Sequence, residues 1–170
     1  MRKTKKIAVL GLLTAIALTI FMIEAQIPPV VPLPGVKLGL SNIVTVFTVF
    51  TLGPGAGAAV LTCRVFLGAV FAGNFSTILY SASGGALAIL VTIGLRKILK
   101  ENQLWAAGCL GAIAHSIGQM IAAIAITRTL GLLMYLPVMI VISVFTGLFT
   151  GLCAQYLVKR GGKLWKTIFK

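Results

Sequence analysis

The sequence of 170 residues contains no aspartate, and its only acidic residues are Glu24 and Glu101. An aspartate-rich site for magnesium and diphosphate is therefore excluded, and so is a catalytic pair of acidic side chains. The sequence also lacks the Gly-Lys-Ser/Thr signature of a Walker nucleotide site. We therefore expect that the protein is not an enzyme and that it acts mainly by binding.

Metal-binding residues are equally scarce. The chain has one histidine and three cysteines, and Cys63, Cys109 and Cys153 are scattered through apolar runs with no Cys-x-x-Cys pairing. This spacing is typical neither of a zinc site nor of a disulfide framework, so we interpret the cysteines as small buried hydrophobic residues. No metal and no cofactor is expected.

Charged residues make up only 10% of the chain, whereas the hydrophobic class makes up 59% and the mean hydropathy is +1.08. Soluble domains carry about 25% charged residues, so this composition indicates an integral membrane protein. A net charge of +13 would suggest nucleic acid as the partner of a soluble chain. Here the basic residues lie between apolar runs, which favours a lipid bilayer and no nucleic acid.

Apolar runs bounded by proline, glycine and charge clusters predict one bundle of six transmembrane helices and a single domain over residues 1–170. A transmembrane helix needs about 20 residues, which leaves no room for a second domain. The predicted helices cover residues 7–23, 38–52, 56–72, 77–95, 104–126 and 132–158.

The basic residues predict the orientation of this all-α bundle. Three clusters hold 12 of the 15 basic residues, and they precede the first helix, follow the fourth and follow the sixth. With six helices, all three clusters lie on one side of the membrane. The positive-inside rule assigns that side to the cytoplasm, together with both chain termini.

Small residues recur four apart along three of the helices, which is a spacing that lets helices approach closely in lipid. Two interpretations are open. The stripes pack within the bundle, or one of them, most plausibly that of the first helix, docks another membrane subunit. The stripes are Gly11, Ala15 and Thr19 on the first helix, Gly84, Ala88 and Thr92 on the fourth, and Ser143, Gly147 and Gly151 on the sixth.

Polar residues inside apolar runs are candidate site residues, because an ionisable side chain at membrane depth costs at least about 2.5–3.5 kcal/mol. Arg64, near the middle of the third helix, is the strongest candidate. We expect a pocket open to the outside, roofed by the proline-rich segment 27–37, with a positive potential that favours an anionic or electron-rich ligand. Its predicted lining is Lys37, Asn42, Arg64, Asn74, Tyr80, His115 and Gln119.

Two of these polar residues also have structural interpretations. Glu24 would neutralise Lys37 or Arg64 in a structural pair, and His115 would form a hydrogen bond between helices. Spacing alone does not decide between these roles and ligand binding.

Several segments resemble, in order and over nearly the whole chain, a group of small bacterial membrane proteins. Pro34-Gly-Val-Lys-Leu-Gly-Leu-Ser-Asn-Ile-Val-Thr45 resembles the signature PG-x-KLGLANIVT of that group. The other matching segments are Arg64-Val-Phe-Leu-Gly68, Phe71-x-Gly-Asn74, Leu79-Tyr-Ser-x-Ser-Gly-Gly85, Ala-His-x-x-Gly-Gln at 114–119 and Tyr135-Leu-Pro137. The group is known both as the Gx transporter family and as heptaprenyl diphosphate synthase component I.

The resemblance implies a plan similar to the substrate-binding S components of energy-coupling factor (ECF) transporters. It implies a bacterial cell-membrane subunit with a small-molecule pocket near the outer face. The stripe Gly11, Ala15 and Thr19 would face a coupling subunit, and separate partner ATPases would hydrolyse ATP. The alternative is a non-catalytic membrane component associated with isoprenoid-quinone synthesis or with flavin-based extracellular electron transfer.

The charge clusters generate the first prediction. Reporter fusions at Lys100 and at Lys170 should both report a cytoplasmic location, because each residue lies in a basic cluster. A signal from the outer side at either position would contradict the six-helix topology.

Overall fold

The computed structural model describes residues 3–27, 37–73 and 75–161, and within these ranges every regular secondary-structure element is a helix. The first three helices are α1 (Lys3–Glu24), α2 (Asn42–Thr51) and α3 (Pro54–Ala72). The next three are α4 (Ser76–Arg96), α5 (Leu104–Thr127) and α6 (Leu136–Arg160). Short 3-10 turns at Glu101–Gln103 and Leu130–Tyr135 precede α5 and α6.

Five of the helices are long and apolar enough to cross a membrane, and α2 is the exception. Its 10 residues span about 15 Å, which is half of a hydrocarbon core of about 30 Å. The prediction of a helix over 38–52 is therefore wrong at its start. Residues 37–41 are not helical, and Gly39 has a φ of +79°, a left-handed conformation that glycine adopts without steric strain.

The sixth predicted helix also begins later than the sequence indicated. Residues 130–135 form a 3-10 turn, and the α-helix starts at Leu136 with Pro137 in its first turn. Proline has no amide hydrogen to donate, so it is well placed where the amide would have no helical partner.

The short helix α2 occupies one half of the bundle. In the middle of α2, Val46 and Phe47 pack in one cluster with Leu104 at the start of α5 and Val158 near the end of α6. Just before the start of α2, Gly39 lies against His115, in the middle of α5. The start of α2 is thus held inside the bundle, at the depth where the polar residues of α5 lie.

Glycines bring α4, α5 and α6 into direct backbone contact. A Cβ atom added to Gly118 would lie 2.5 Å from the Ser83 carbonyl oxygen, and one added to Gly151 would lie 2.7 Å from the Trp105 Cα. Across the same α5–α6 interface, the Ser116 and Ser143 hydroxyls form a hydrogen bond of 2.5 Å. The small-residue stripes of the fourth and sixth predicted helices therefore pack within the bundle.

The stripe of α1 faces outward instead. Nothing lies within 4 Å of a Cβ atom added to Gly11, and Ala15 and Thr19 are exposed in the described structure. Ala17 and Phe21 form the buried face of the same helix. The two interpretations of the stripes therefore apply to different helices.

These contacts generate a matched pair of substitutions. Gly151→Ala should destabilise the protein by about 1–3 kcal/mol, because its methyl group would meet the backbone of α5. Gly11→Ala should leave stability unchanged or raise it by up to about 1 kcal/mol, since alanine favours the helix and has free space there. Unfolding of the purified variants in the same detergent measures both effects. Equal stability of the two variants would contradict the close packing of α5 and α6.

Candidate binding site

The start of α2 is fixed by a carboxylate from another helix. Glu24, at the end of α1 and only 4% exposed, accepts hydrogen bonds from the backbone amides of Gly39 (2.6 Å) and Leu40 (3.0 Å). A negative charge at this position also favours the positive N-terminal end of the α2 dipole. Within the described residues, the hydrogen-bond partners of Glu24 are thus backbone amides, and its carboxylate also interacts electrostatically with Arg64 and Lys37, the two partners that the sequence suggested.

Arg64 approaches the same point from α3. Its side chain is 2% exposed, and its Nη1 atom donates a hydrogen bond to the Ser41 hydroxyl, directly before α2. Its Nε and Nη2 atoms are buried and have no hydrogen-bond partner in the described part of the chain. Glu24 interacts electrostatically with the guanidinium without forming one of these hydrogen bonds.

The Phe21 ring lies close to the two cations of the site, Lys37 and Arg64. The Lys37 Nζ atom lies 3.6 Å from the centre of the Phe21 ring, and the Arg64 Cζ atom lies 5.8 Å from it. Gly68 makes room for this ring, because a Cβ atom there would lie 2.7 Å from the Phe21 Cε1 atom. Cation–π contacts of this kind stabilise a cation where water is scarce.

Lys37 precedes α2, outside the helical spans. Burial lowers the pKa of its amine and Arg64 lowers it further, whereas the nearby Glu24 carboxylate opposes the shift. The amine is therefore held close to a second cation, an arrangement that an anion would relieve.

The remaining polar side chains surround two glycines. A Cβ atom at Gly39 would lie 2.9 Å from the Asn42 amide nitrogen and 3.4 Å from the His115 ring. One at Gly84, on α4, would lie 2.9 Å from both the His115 ring and the Gln119 Cγ atom. Gly39 therefore lies between Asn42 and His115, and Gly84 lies beside both His115 and Gln119.

Four further buried side chains in this region carry polar atoms that lack hydrogen-bond partners among the described residues. Both polar atoms of the amides of Asn42 and Gln119 are unpaired, as are the Thr45 hydroxyl and the His115 Nδ1 atom. All four side chains are at most 6% exposed. An unpaired buried polar group costs about 1–3 kcal/mol, so this concentration of such groups marks the region as a candidate binding site.

The structure places the predicted site residues as follows. Lys37 and Arg64 lie at the Phe21 ring. Asn42, His115 and Gln119 lie around Gly39 and Gly84, and Tyr80 is buried on α4, one helical turn before Gly84. Asn74 lies outside the described residues, as does almost all of the predicted roof, residues 28–36. The opening toward the outside remains a prediction.

Sequence reasoning missed Phe21, Ser41 and the two glycines that the polar groups surround. Phe21 had a usable signal, because it lies three residues before Glu24 on the same face of α1. Ser41 and Gly39 carried no such signal, since a continuous second helix was expected there.

In the part of the chain that the structure describes, no three His, Cys or acidic side chains lie close enough together to hold a metal ion. Cys109 and Cys153 are partly buried, but Cys63 is exposed on α3. The interpretation of all three cysteines as buried residues is therefore wrong for Cys63, which faces away from the bundle.

The two acidic residues provide a matched test of the Glu24 contacts. Glu24→Gln should destabilise the protein by about 1.5–3 kcal/mol, since a neutral amide loses a charge-assisted hydrogen bond to the start of α2. Glu101→Gln, at an exposed position before α5, should change stability by less than about 0.5 kcal/mol. Unfolding in one detergent compares the two. Equal effects would show that the Glu24 carboxylate does not hold α2.

Comparison with known proteins identifies the family. The sequence model of the family described as heptaprenyl diphosphate synthase component I matches residues 13–157, which include most of α1, all of α2–α5 and most of α6. Searches of curated proteins and of solved structures give no match. Because the family match covers most of the sequence, the chain belongs to the heptaprenyl diphosphate synthase component I family.

Proposed function

We propose that the protein is the substrate-binding membrane subunit of an ECF-type transporter, which captures a small anionic or polar molecule of vitamin or cofactor type. The observation that carries this proposal is the set of buried, unpaired polar atoms beside the start of α2. A buried arginine in a membrane bundle is costly, and such groups are retained where they bind something. The positive charges of Lys37 and Arg64 favour an anionic ligand.

A helix that starts inside the bundle supports the same proposal. In membrane transporters, discontinuous helices place their polar ends beside a substrate near the middle of the bilayer. Here α2 begins next to Arg64 and His115, and Glu24 holds its first residues in place. In this proposal the site binds its ligand without catalysis, which the engagement of Glu24 by backbone amides and the exposed position of Glu101 before α5 support.

The outward stripe of α1 supports a membrane partner. Gly11, Ala15 and Thr19 lie on the exposed side of α1, where small residues allow another helix to approach closely. In this proposal the partner is the coupling subunit, and separate ATPases supply energy. The protein lies in the bacterial cell membrane with both termini in the cytoplasm.

A second candidate function follows from the family description. A heptaprenyl diphosphate synthase component without aspartate would be a non-catalytic membrane partner of a separate prenyl synthase. An association with flavin-based extracellular electron transfer belongs to the same class, because the chain would then serve an enzyme complex.

Co-purification from the native membrane separates these functions. The tagged full-length protein should recover a coupling subunit and ATPases. Ala15→Leu should reduce that recovery at least about tenfold by filling the stripe, an effect of about 1.4 kcal/mol. Ala59→Leu, at an exposed position of α3, is the matched control and should leave recovery unchanged. Reproducible recovery of a prenyl synthase or a quinone dehydrogenase instead would overturn the transporter proposal and favour the alternative.

A further inference from the structure

We propose that the site binds a small molecule with a single carboxylate and an amide-type group, in which an N–H donor and a C=O acceptor lie side by side. This inference rests on the proposed binding function and names the class of molecule that the site would take. It is carried by which atoms of the buried side chains are left unpaired.

The unpaired atoms of Arg64 form one edge of its guanidinium. Nη1 donates a hydrogen bond to Ser41. Nε and Nη2 lie on the same edge of the planar guanidinium group, and both are without hydrogen-bond partners among the described residues. Two parallel N–H groups fit the two oxygens of a carboxylate in a bidentate pair. The Ser41 contact fixes the guanidinium so that this edge stays available.

The charges at the site limit the ligand to one negative charge. In their ordinary charged forms, Lys37 and Arg64 carry two positive charges and Glu24 carries one negative charge, so the three groups together have one positive charge in excess. A monoanion would neutralise it. A second negative charge on the ligand would have no positive partner in this buried site and would weaken binding.

The two buried amides supply the other half of the recognition. Gln119 is 0% exposed, and its Nε2 and Oε1 atoms are both unpaired, as are the Nδ2 and Oδ1 atoms of Asn42. A carboxamide presents a donor and an acceptor side by side. Its natural complement is a ligand group of the same kind, such as a lactam. A ligand that is apolar apart from its carboxylate would leave the amide atoms of Gln119 and Asn42 unpaired.

Three molecules built on similar five-membered rings test the inference with the purified full-length protein in lipid nanodiscs. Pyroglutamate carries both the carboxylate and the lactam, cyclopentanecarboxylate carries the acid alone, and 2-pyrrolidinone carries the lactam alone. Calorimetric titration should show pyroglutamate binding at least about tenfold more tightly than either of the others, a difference of about 1.4 kcal/mol.

Substitutions test which residue binds the carboxylate of the ligand and which binds its lactam. Arg64→Lys should weaken both acids at least about tenfold and leave 2-pyrrolidinone unaffected, because lysine keeps the charge but loses the paired donors. Arg128→Lys, in the exposed turn after α5, is the matched control and should change nothing. Gln119→Leu should remove the preference for pyroglutamate over cyclopentanecarboxylate.

Three results would overturn the inference: equal binding of 2-pyrrolidinone and pyroglutamate, equal binding of the two acids, or no binding of any of the three. The last result would indicate that ordered water satisfies these polar groups. The titration uses the isolated subunit, so it does not depend on whether transport partners co-purify. A failed co-purification with a successful titration would overturn the transporter function and leave the ligand class standing.

Discussion

The hydrogen bond from Arg64 to the Ser41 hydroxyl joins the middle of α3 to the start of α2, and the arrangement of the site depends on it. Glu24 completes the junction from α1, because its carboxylate binds the amides of Gly39 and Leu40. Three helices are thereby held together by polar groups at one point. This point fixes where α2 begins.

The opposite wall of the site is held by close helix packing. Gly84 and Gly118 let α4 and α5 touch, and the glycines of α6 hold the other side of α5. His115 and Gln119 therefore project from a helix that is clamped on both sides. A rigid helix positions such side chains more accurately than a loop does, which is what selective binding requires. The carboxylate-held start of α2 faces this fixed wall.

The sequence predicted much of this arrangement, for reasons that are physical. Arg64 stood out because a charge at membrane depth is costly, and His115 and Gln119 stood out because a spacing of four places them on one face of a helix. The start of α2 escaped prediction, since it depends on the left-handed conformation of Gly39 and on a carboxylate 15 residues away in the chain. The sequence also did not predict which stripe faces outward, because a helix that is apolar on all sides gives no indication of which side it turns toward the bundle.

Arg64 and the unpaired polar groups around it should hold a bound molecule and not only one another. Native mass spectrometry of the full-length protein, released from its own membrane, tests this most directly. We expect the wild-type protein to carry one additional small-molecule mass, and Arg64→Met to lose it while Arg128→Met retains it. A wild-type protein that carries no such additional mass, or an Arg64→Met variant that keeps it, would contradict ligand binding at Arg64.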